Sequence, residues 1–207
     1  MIRFPKAITL FLFAGILMVT ANCERAADPY TDQPGLLQGK KVVMLVTEGF
    51  HDTETFVPFG YLVHHGAEVT FAGPELGEFT SSSGNATATV NVSVNEVSPH
   101  DFDALVIPGG RSPARLREFP EVNAFVQEFA LTNRPTAAIC HGPQVLISAG
   151  LVEGREIAGT NNIIDEITEA GATYRDVEVQ IDGNLITSRR PGDVVVFSHQ
   201  VVQALLN

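Results

Sequence analysis

The chain has 207 residues, 44% of them hydrophobic, with 24 acidic against 13 basic side chains and a formal net charge of −11 at pH 7. This charge argues against nucleic acid as a partner, because phosphates require a basic protein face. Two cysteines are too few for a disulfide scaffold, and the length is sufficient for one domain with a sizeable core.

The N-terminal segment has the pattern of an export signal. Arg3 and Lys6 precede the uncharged stretch "AITLFLFAGILMVTA", which is too short to span a bilayer comfortably, and a small-residue cleavage site ends at Ala21. We therefore predict an export signal over residues 1–21 and a periplasmic, secreted or lipid-anchored protein. The alternatives are a lipoprotein signal that ends at residue 22, with the lipid on Cys23, and a membrane anchor that is not cleaved.

Residues 22–39 are polar and rich in proline and glycine, which predicts a flexible linker and a domain over 40–207. "KKVVMLV" is typical of a strand buried on both faces, and "HDTETFVPFGYLVHHG" predicts a helix capped by Asp52 or Thr53. Pro58 inside this helix predicts a kink or a late start. "AEVTFAG" is the next strand, and the strict alternation in "NATATVNVSV" predicts a half-exposed strand or hairpin arm.

The second half of the domain continues the alternation of strands and helices. "DALVIPGG" and "PTAAI" are predicted to be buried strands, whereas "PEVNAFVQEFALTN", "GPQVLISAG" and "NIIDEITEAG" are predicted helices. "VEVQIDGNLITSR" has a hairpin signal at Asp182-Gly183, and "PGDVVVFSHQVVQALLN" is predicted to close the chain as a helix. This order predicts a three-layer α/β/α sandwich with a mostly parallel central sheet.

Ligands of such sheets bind beyond the carboxyl ends of the strands, which selects the loops "TEGFHDTE", "PGGRSP" and "CHGP". "AAICHGP" has the order of a nucleophile elbow: strand, nucleophile, any residue, glycine, helix. A thiol at Cys140 would face the amino end of the following helix, which predicts a lowered pKa and a thiolate. The alternative is that Cys140 is a small buried hydrophobic residue.

The chain resembles the DJ-1/PfpI family of the class I glutamine amidotransferase-like superfamily from about Lys40 to its C-terminus. The motifs that carry the resemblance are "EGFHDTETFVP", "FDALVIPGGRSP", "AAICHGPQVLISAGLVEGR" and "DGNLITSRRPGD". The resemblance implies a flavodoxin-like fold and a homo-oligomer. It also implies Cys140 as the nucleophile, His141 beside it and Glu54 as the acid that hydrogen-bonds the sulfur.

Further roles follow from the same resemblance. Gly109 and Gly110 match an oxyanion-binding turn, and Arg189 is implied to border the substrate, with a structural ion pair as its alternative. The role of His141 stays open, because adjacent side chains cannot be assumed to share a hydrogen bond. Glu48 is interpreted as a surface group at a strand end, and His51 is a further candidate because it lies in the loop beside Glu54.

The family's oligomeric peptidases have a glutamate at the position of Ala114, where it completes a triad across a subunit interface; alanine cannot orient an imidazole. We expect an exported cysteine-dependent enzyme, and the resemblance implies one of the glyoxalase III or deglycase type, which acts on reactive carbonyls. The alternatives are a cysteine peptidase or amidohydrolase acting on peptides, and a non-catalytic redox-sensing or chaperone-like stress protein. No metal and no organic cofactor are predicted.

Overall fold

The computed structural model of the protein describes residues 33–207. The predicted export signal, Cys23 and most of the predicted linker lie outside these residues. The end of the linker prediction is wrong, because Leu37 is fully buried and its N–H donates to the His65 carbonyl oxygen over 2.7 Å. The packed domain therefore begins before residue 40.

Seven strands form the central sheet, in the spatial order β10-β11-β7-β6-β1-β2-β5. All neighbours are parallel except β10 and β11, so the predicted mostly parallel sheet is confirmed. The strands of the described chain are β1 (Lys41–Leu45), β2 (Glu68–Gly73), β3 (Gly77–Thr80), β4 (Thr87–Val90), β5 (Val92–Ser93), β6 (Ala104–Ile107), β7 (Thr136–Ile139), β8 (Glu156–Ile157), β9 (Thr173–Tyr174), β10 (Val179–Asp182) and β11 (Leu185–Ser188). Two small sheets, β3-β4 and β8-β9, stand apart.

Helices cover both faces of this sheet, which gives the predicted α/β/α layers. They are α1 (Asp52–His64), α2 (Ser112–Leu116), α3 (Pro120–Leu131), α4 (Pro143–Ser148), α5 (Ile164–Glu169) and α6 (Val194–Leu206). Side chains of α3, α4 and α5 pack on one face, and those of α1 and α6 pack on the other. In β1, Val43 and Leu45 face the first cluster while Val42 and Met44 face the second, as the two-residue period of a strand requires.

Three local features complete the sheet and its connections. The segment "NATATVNVSV" contains two strands. The first, β4, pairs with β3 and confirms the predicted hairpin arm, whereas β5 pairs with the strand β2 of the central sheet. The turn between β10 and β11 consists of Gly183 and Asn184, since Asp182 is still paired with Leu185, and Gly183 takes the positive φ of 57°. None of the helices within residues 33–207 is long and apolar enough to cross a membrane.

Helix α1 begins at Asp52, six residues before Pro58, so of the two predictions for this proline the late start is wrong. Its N-terminal cap is His51, without a side-chain hydrogen bond, so Asp52 and Thr53 lie inside the helix and do not cap it. The His51 N–H donates to the Gly109 carbonyl oxygen over 3.1 Å, which fixes the entry of the chain into the helix. The helix continues through a buried Pro58, so a late start is excluded.

Candidate active site

Cys140 lies at the sharp turn between β7 and α4. Its backbone φ is +62°, a value that residues other than glycine rarely adopt and that costs about 1–3 kcal/mol. The Cys140 N–H donates to the Ser188 carbonyl oxygen over 2.9 Å, and the Cys140 carbonyl oxygen accepts from the Thr160 N–H over 3.0 Å. Gly142 is required two residues later, because a Cβ there would lie 2.4 Å from the Ile107 carbonyl oxygen. The nucleophile elbow is thus confirmed.

A cavity of about 380 Å³ opens above the thiol, at the carboxyl ends of β6 and β7. Its lining combines the three loops that the sequence selected: His51, Ser82, Gly110, Arg111, Ala114, Cys140, His141 and Gln144. A larger cavity of about 640 Å³ lies at the opposite, amino ends of the strands, but its described lining contains no thiol or imidazole. The smaller cavity is therefore the candidate site, because the reactive groups lie there.

Glu54, in the first turn of α1, is completely buried beneath this cavity. Burial raises the pKa of its carboxyl to about 7, although hydrogen bonds with the Cys140 side chain and the Gly109 N–H oppose the shift. The Gly109 N–H donates to Glu54 Oε2 over 3.1 Å. Only glycine fits at 109, since a Cβ would lie 2.3 Å from Glu54 Oε2 and 2.7 Å from Cys140 Cβ.

This contact corrects the predicted oxyanion turn. The Gly109 amide holds Glu54 and is not directed at a substrate oxygen. The backbone amides that hydrogen-bond the Cys140 sulfur are those of Gly110 and His141. Only Gly109 departs from the predicted role, because it forms the close contact between Glu54 and Cys140, whereas the Gly110 and His141 N–H groups contact the sulfur.

The predicted low pKa of the thiol is wrong in direction. Burial, the negative charge of Glu54 and the hydrogen bond with Glu54 raise the pKa of Cys140 to about 12, against the opposing amides of Gly110 and His141. Two such acids in contact cannot both ionise easily, so once the first proton has left, the pair keeps the second one. The sulfur becomes a nucleophile when that proton resides on the carboxyl of Glu54.

His141 is brought into contact with the thiol despite its adjacent position in the chain. Its Nδ1 lies 3.3 Å from Cys140 Sγ, since the elbow turn directs both side chains to the same cavity. Burial lowers the pKa of the imidazole, and the charge of Glu166 acts in the opposite direction. A neutral imidazole in this place can accept a proton from the thiol or from a bound substrate.

Glu166 on α5 contacts the cavity residue Gln144, a contact that the sequence does not indicate. Its carboxylate accepts a hydrogen bond from Gln144 Nε2 over 2.9 Å and forms an ion pair with Arg117. Ala114 lines the cavity, so no acid is supplied at that position. The sequence does not mark Glu166 or the cavity residue Ser82, because only tertiary packing brings their segments near the motif that contains Cys140 and Gln144.

Two further predictions are settled by the geometry. Arg189 does not line the cavity: its guanidinium pairs with Asp193 over 2.9 Å and with Asp176 over 2.7 Å, so the alternative of a structural ion pair is confirmed. Glu48 is half-buried rather than a surface group, and its Oε2 accepts from the Thr80 N–H over 2.8 Å. Residues 33–207 contain no group of three or more His, Cys, Asp or Glu side chains that could hold a metal ion.

Comparison with known proteins shows the family to which the chain belongs. The sequence profile of the DJ-1/PfpI family matches residues 40–204. The deglycase TK1284 of Thermococcus kodakarensis is 40% identical over 165 residues, which cover 80% of this chain and 99% of that protein. YraA of Bacillus subtilis, named as a candidate cysteine protease, is 36% identical over 166 residues, covering 80% of this chain and 98% of YraA.

A solved structure from Anabaena variabilis, with one DJ-1/ThiJ/PfpI-like and one ferritin-like domain, is similar with a TM-score of 0.79 and 37% identity. The match covers 80% of this chain and 48% of that one, so this chain spans about half of the two-domain protein.

A mostly parallel α/β sandwich with a cysteine at its nucleophile elbow defines the class, a cysteine-nucleophile hydrolase or lyase. Within that class, the chain belongs to the DJ-1/PfpI family.

Proposed function

We propose that the protein is an enzyme that acts on small reactive carbonyl compounds, with Cys140 as the nucleophile. The observation that carries the proposal is the contact of one thiol with both a buried carboxyl and an imidazole. The cavity of about 380 Å³ is at the small end of ligand pockets, which suits a small aldehyde. The similarity to a protein named deglycase supports the same substrate class.

The proposed chemistry begins with transfer of the thiol proton to Glu54. The sulfur then forms a bond to the aldehyde carbon, and the carbonyl electron pair moves to oxygen, where the Gly110 and His141 N–H groups stabilise the charge. In a 2-oxoaldehyde, a base removes the proton on the former aldehyde carbon and a proton is returned to the neighbouring carbon. The oxygen on that neighbouring carbon takes the proton that the thiol gave to Glu54, and the product is a thioester. Water cleaves the thioester to a 2-hydroxy acid and restores the thiol. No external oxidant is required, because one carbon is oxidised while its neighbour is reduced.

The direct test is methylglyoxal consumption by the full chain and by Cys140→Ala. We expect turnover to be lost in this variant and to persist in Cys23→Ala, which removes the chain's other cysteine. Turnover that continues in Cys140→Ala would remove the proposal.

A peptidase is the second candidate, favoured by the similarity to YraA. The family's oligomeric peptidases orient the imidazole with an acid at the position of Ala114, so a peptidase of this kind would need another carboxylate in that role. Peptide hydrolysis by the wild type, increased in Ala114→Glu, would support the peptidase over the carbonyl enzyme. A redox sensor is disfavoured by the raised pKa of Cys140, because oxidation of cysteine follows thiolate character.

We further propose that the protein is exported, as residues 1–21 predict. Fractionation of cells that express the full chain tests this independently of activity. Recovery of the uncleaved chain in the cytoplasm would contradict it.

A further inference from the structure

A half-buried ionic network lies behind His141. Arg117 follows α2 and pairs with Glu166 on α5, and its Nε also donates to Ser148 Oγ over 2.8 Å. The side chains of Arg117 and Glu166 are 25% and 30% exposed. Gln144 on α4 completes the network through its hydrogen bond to Glu166 Oε2. Three helices are thus joined directly beneath the wall of the cavity.

The orientation of Gln144 follows from this network. A carboxylate only accepts hydrogen bonds, so the Gln144 amide must present its NH₂ group to Glu166. Its carbonyl oxygen is buried and has no partner among the described residues. Gln144 also lines the cavity, as His141 does, so its hydrogen bond to Glu166 fixes the orientation of a side chain in the cavity wall.

Glu166 also bears a charge that the imidazole senses. Burial alone would raise its pKa, but hydrogen bonds from Gln144 and Arg117 and the charges of Arg117 and His141 hold the pKa below its usual value. Glu166 is therefore ionised at neutral pH. The charged or titratable side chains that share the cavity, the thiol contact or this network with His141 are His51, Glu54, Arg111, Arg117, Cys140 and Glu166.

Arg111 and Arg117 are cations and cannot stabilise a protonated imidazole, and Glu54 shares its own proton with Cys140. Glu166 is the carboxylate left to stabilise an imidazolium. We propose that Glu166 is the positioning residue that supports protonated His141 and takes, within one chain, the place of the acid that Ala114 does not supply. Its effect on catalysis rests on the proposed carbonyl chemistry, whereas its effect on the imidazole does not.

The test is the pKa of His141, measured by NMR titration of the histidine ring protons in the full chain. The signal is assigned by its loss in His141→Gln. Because an opposite charge favours the charged form of an imidazole, Glu166→Gln should lower the pKa of His141. Asp165→Asn is the matched control: it removes the same charge from a neighbouring position on α5 and should leave the pKa unchanged.

Arg117→Gln should shift the pKa of His141 in the opposite direction. It frees Glu166 from its cation, so the pKa of His141 should rise, and this comparison decides the matter if Glu166→Gln fails to fold. A His141 shift in Glu166→Gln that is no larger than in Asp165→Asn would overturn the inference. In the pH profile of methylglyoxal turnover, the limb that reports His141 should move to lower pH in Glu166→Gln by the same amount. If Cys140→Ala retains turnover while the NMR shift is seen, the proposed function fails and the coupling between Glu166 and His141 stands.

Discussion

Cys140 and Asn133 are the two non-glycine residues with positive φ within residues 33–207. Asn133 follows the end of α3, where asparagine commonly adopts this conformation. Cys140 has no such reason, and the strain at this residue is held by its hydrogen bonds to Ser188 and Thr160. Backbone strain of this kind is concentrated at functional sites, which supports a chemical role for the thiol.

Glu54 makes the site costly for the stability of the folded protein. Its ordinary pKa of 4.5 rises to about 7 on folding, so the folded state keeps a proton that the unfolded chain has already released. Because its pKa is raised, the contribution of Glu54 to stability is fully present below pH 4.5 and is lost as the pH rises to about 7. The full loss amounts to about 3 kcal/mol, at about 1.4 kcal/mol per pKa unit.

We predict that Glu54→Gln abolishes this pH dependence. The variant should lose catalysis and gain stability relative to the wild type by about 3 kcal/mol between about pH 4 and pH 8. Urea unfolding of both proteins at several pH values measures the difference between their free energies of unfolding. The difference at acidic pH, where Glu54 is protonated in both folded and unfolded states, is the reference for the values at higher pH. If the difference between the two proteins did not change with pH, folding would not raise the pKa of Glu54.

At the scale of single elements, α1 offers a matched pair of glycines. Gly60 lies inside the helix and is exposed, and a Cβ at this residue would have no atom within 4 Å. Gly66 follows the helix with φ +95°, and its Cβ would lie 3.1 Å from the Gly35 Cα. The two residues are therefore expected to respond to alanine in opposite ways.

We expect Gly60→Ala to stabilise the protein by about 0.5–1 kcal/mol, because alanine loses less conformational entropy in a helix. Gly66→Ala should destabilise it by about 1 kcal/mol or more, because alanine is strained at a positive φ. Thermal unfolding of both variants provides the comparison. Equal effects of the two substitutions would contradict the conformations described for α1 and its end.

The elements differ in how well the sequence predicts them. The buried strands β1, β6 and β7 are continuous apolar runs and are predicted correctly, since both of their faces need the same kind of residue. The sequence does not reveal β3, β8 and β9, because strands of two to four residues carry too little periodicity. The alternation of "NATATVNVSV" is correct in period but cannot show that the chain changes sheets at Asn91.

At the scale of the whole molecule, the residues before β1 belong to the domain. Leu37 is fully buried in the core on the side of α1 and α6, while the neighbouring Leu36 is only half-buried. The N–H of Leu37 donates to His65 beyond the end of α1, so this short segment closes the amino end of the sheet.

We predict that Leu37→Ala lowers the free energy of unfolding by about 2–5 kcal/mol, the usual cost of emptying a core leucine site. Leu36→Ala is the matched control and should cost clearly less. Denaturant unfolding of the full chain gives both values. An equal cost for the two leucines would mean that the domain begins at residue 40, as the composition of residues 22–39 suggests.

The sequence by itself determined the α/β class, the parallel sheet and the elbow at Cys140, because apolar period and glycine spacing are local properties of the chain. The resemblance added Glu54, and the fold confirms that it contacts the thiol. Tertiary structure alone decided that the pKa of the thiol is raised and that the Gly109 amide binds Glu54. It also decided that Arg189 lies outside the cavity lining and that Glu166 contacts the cavity residue Gln144. Each of these depends on burial and on charges from distant segments, and their energies arise only when the segments are packed together.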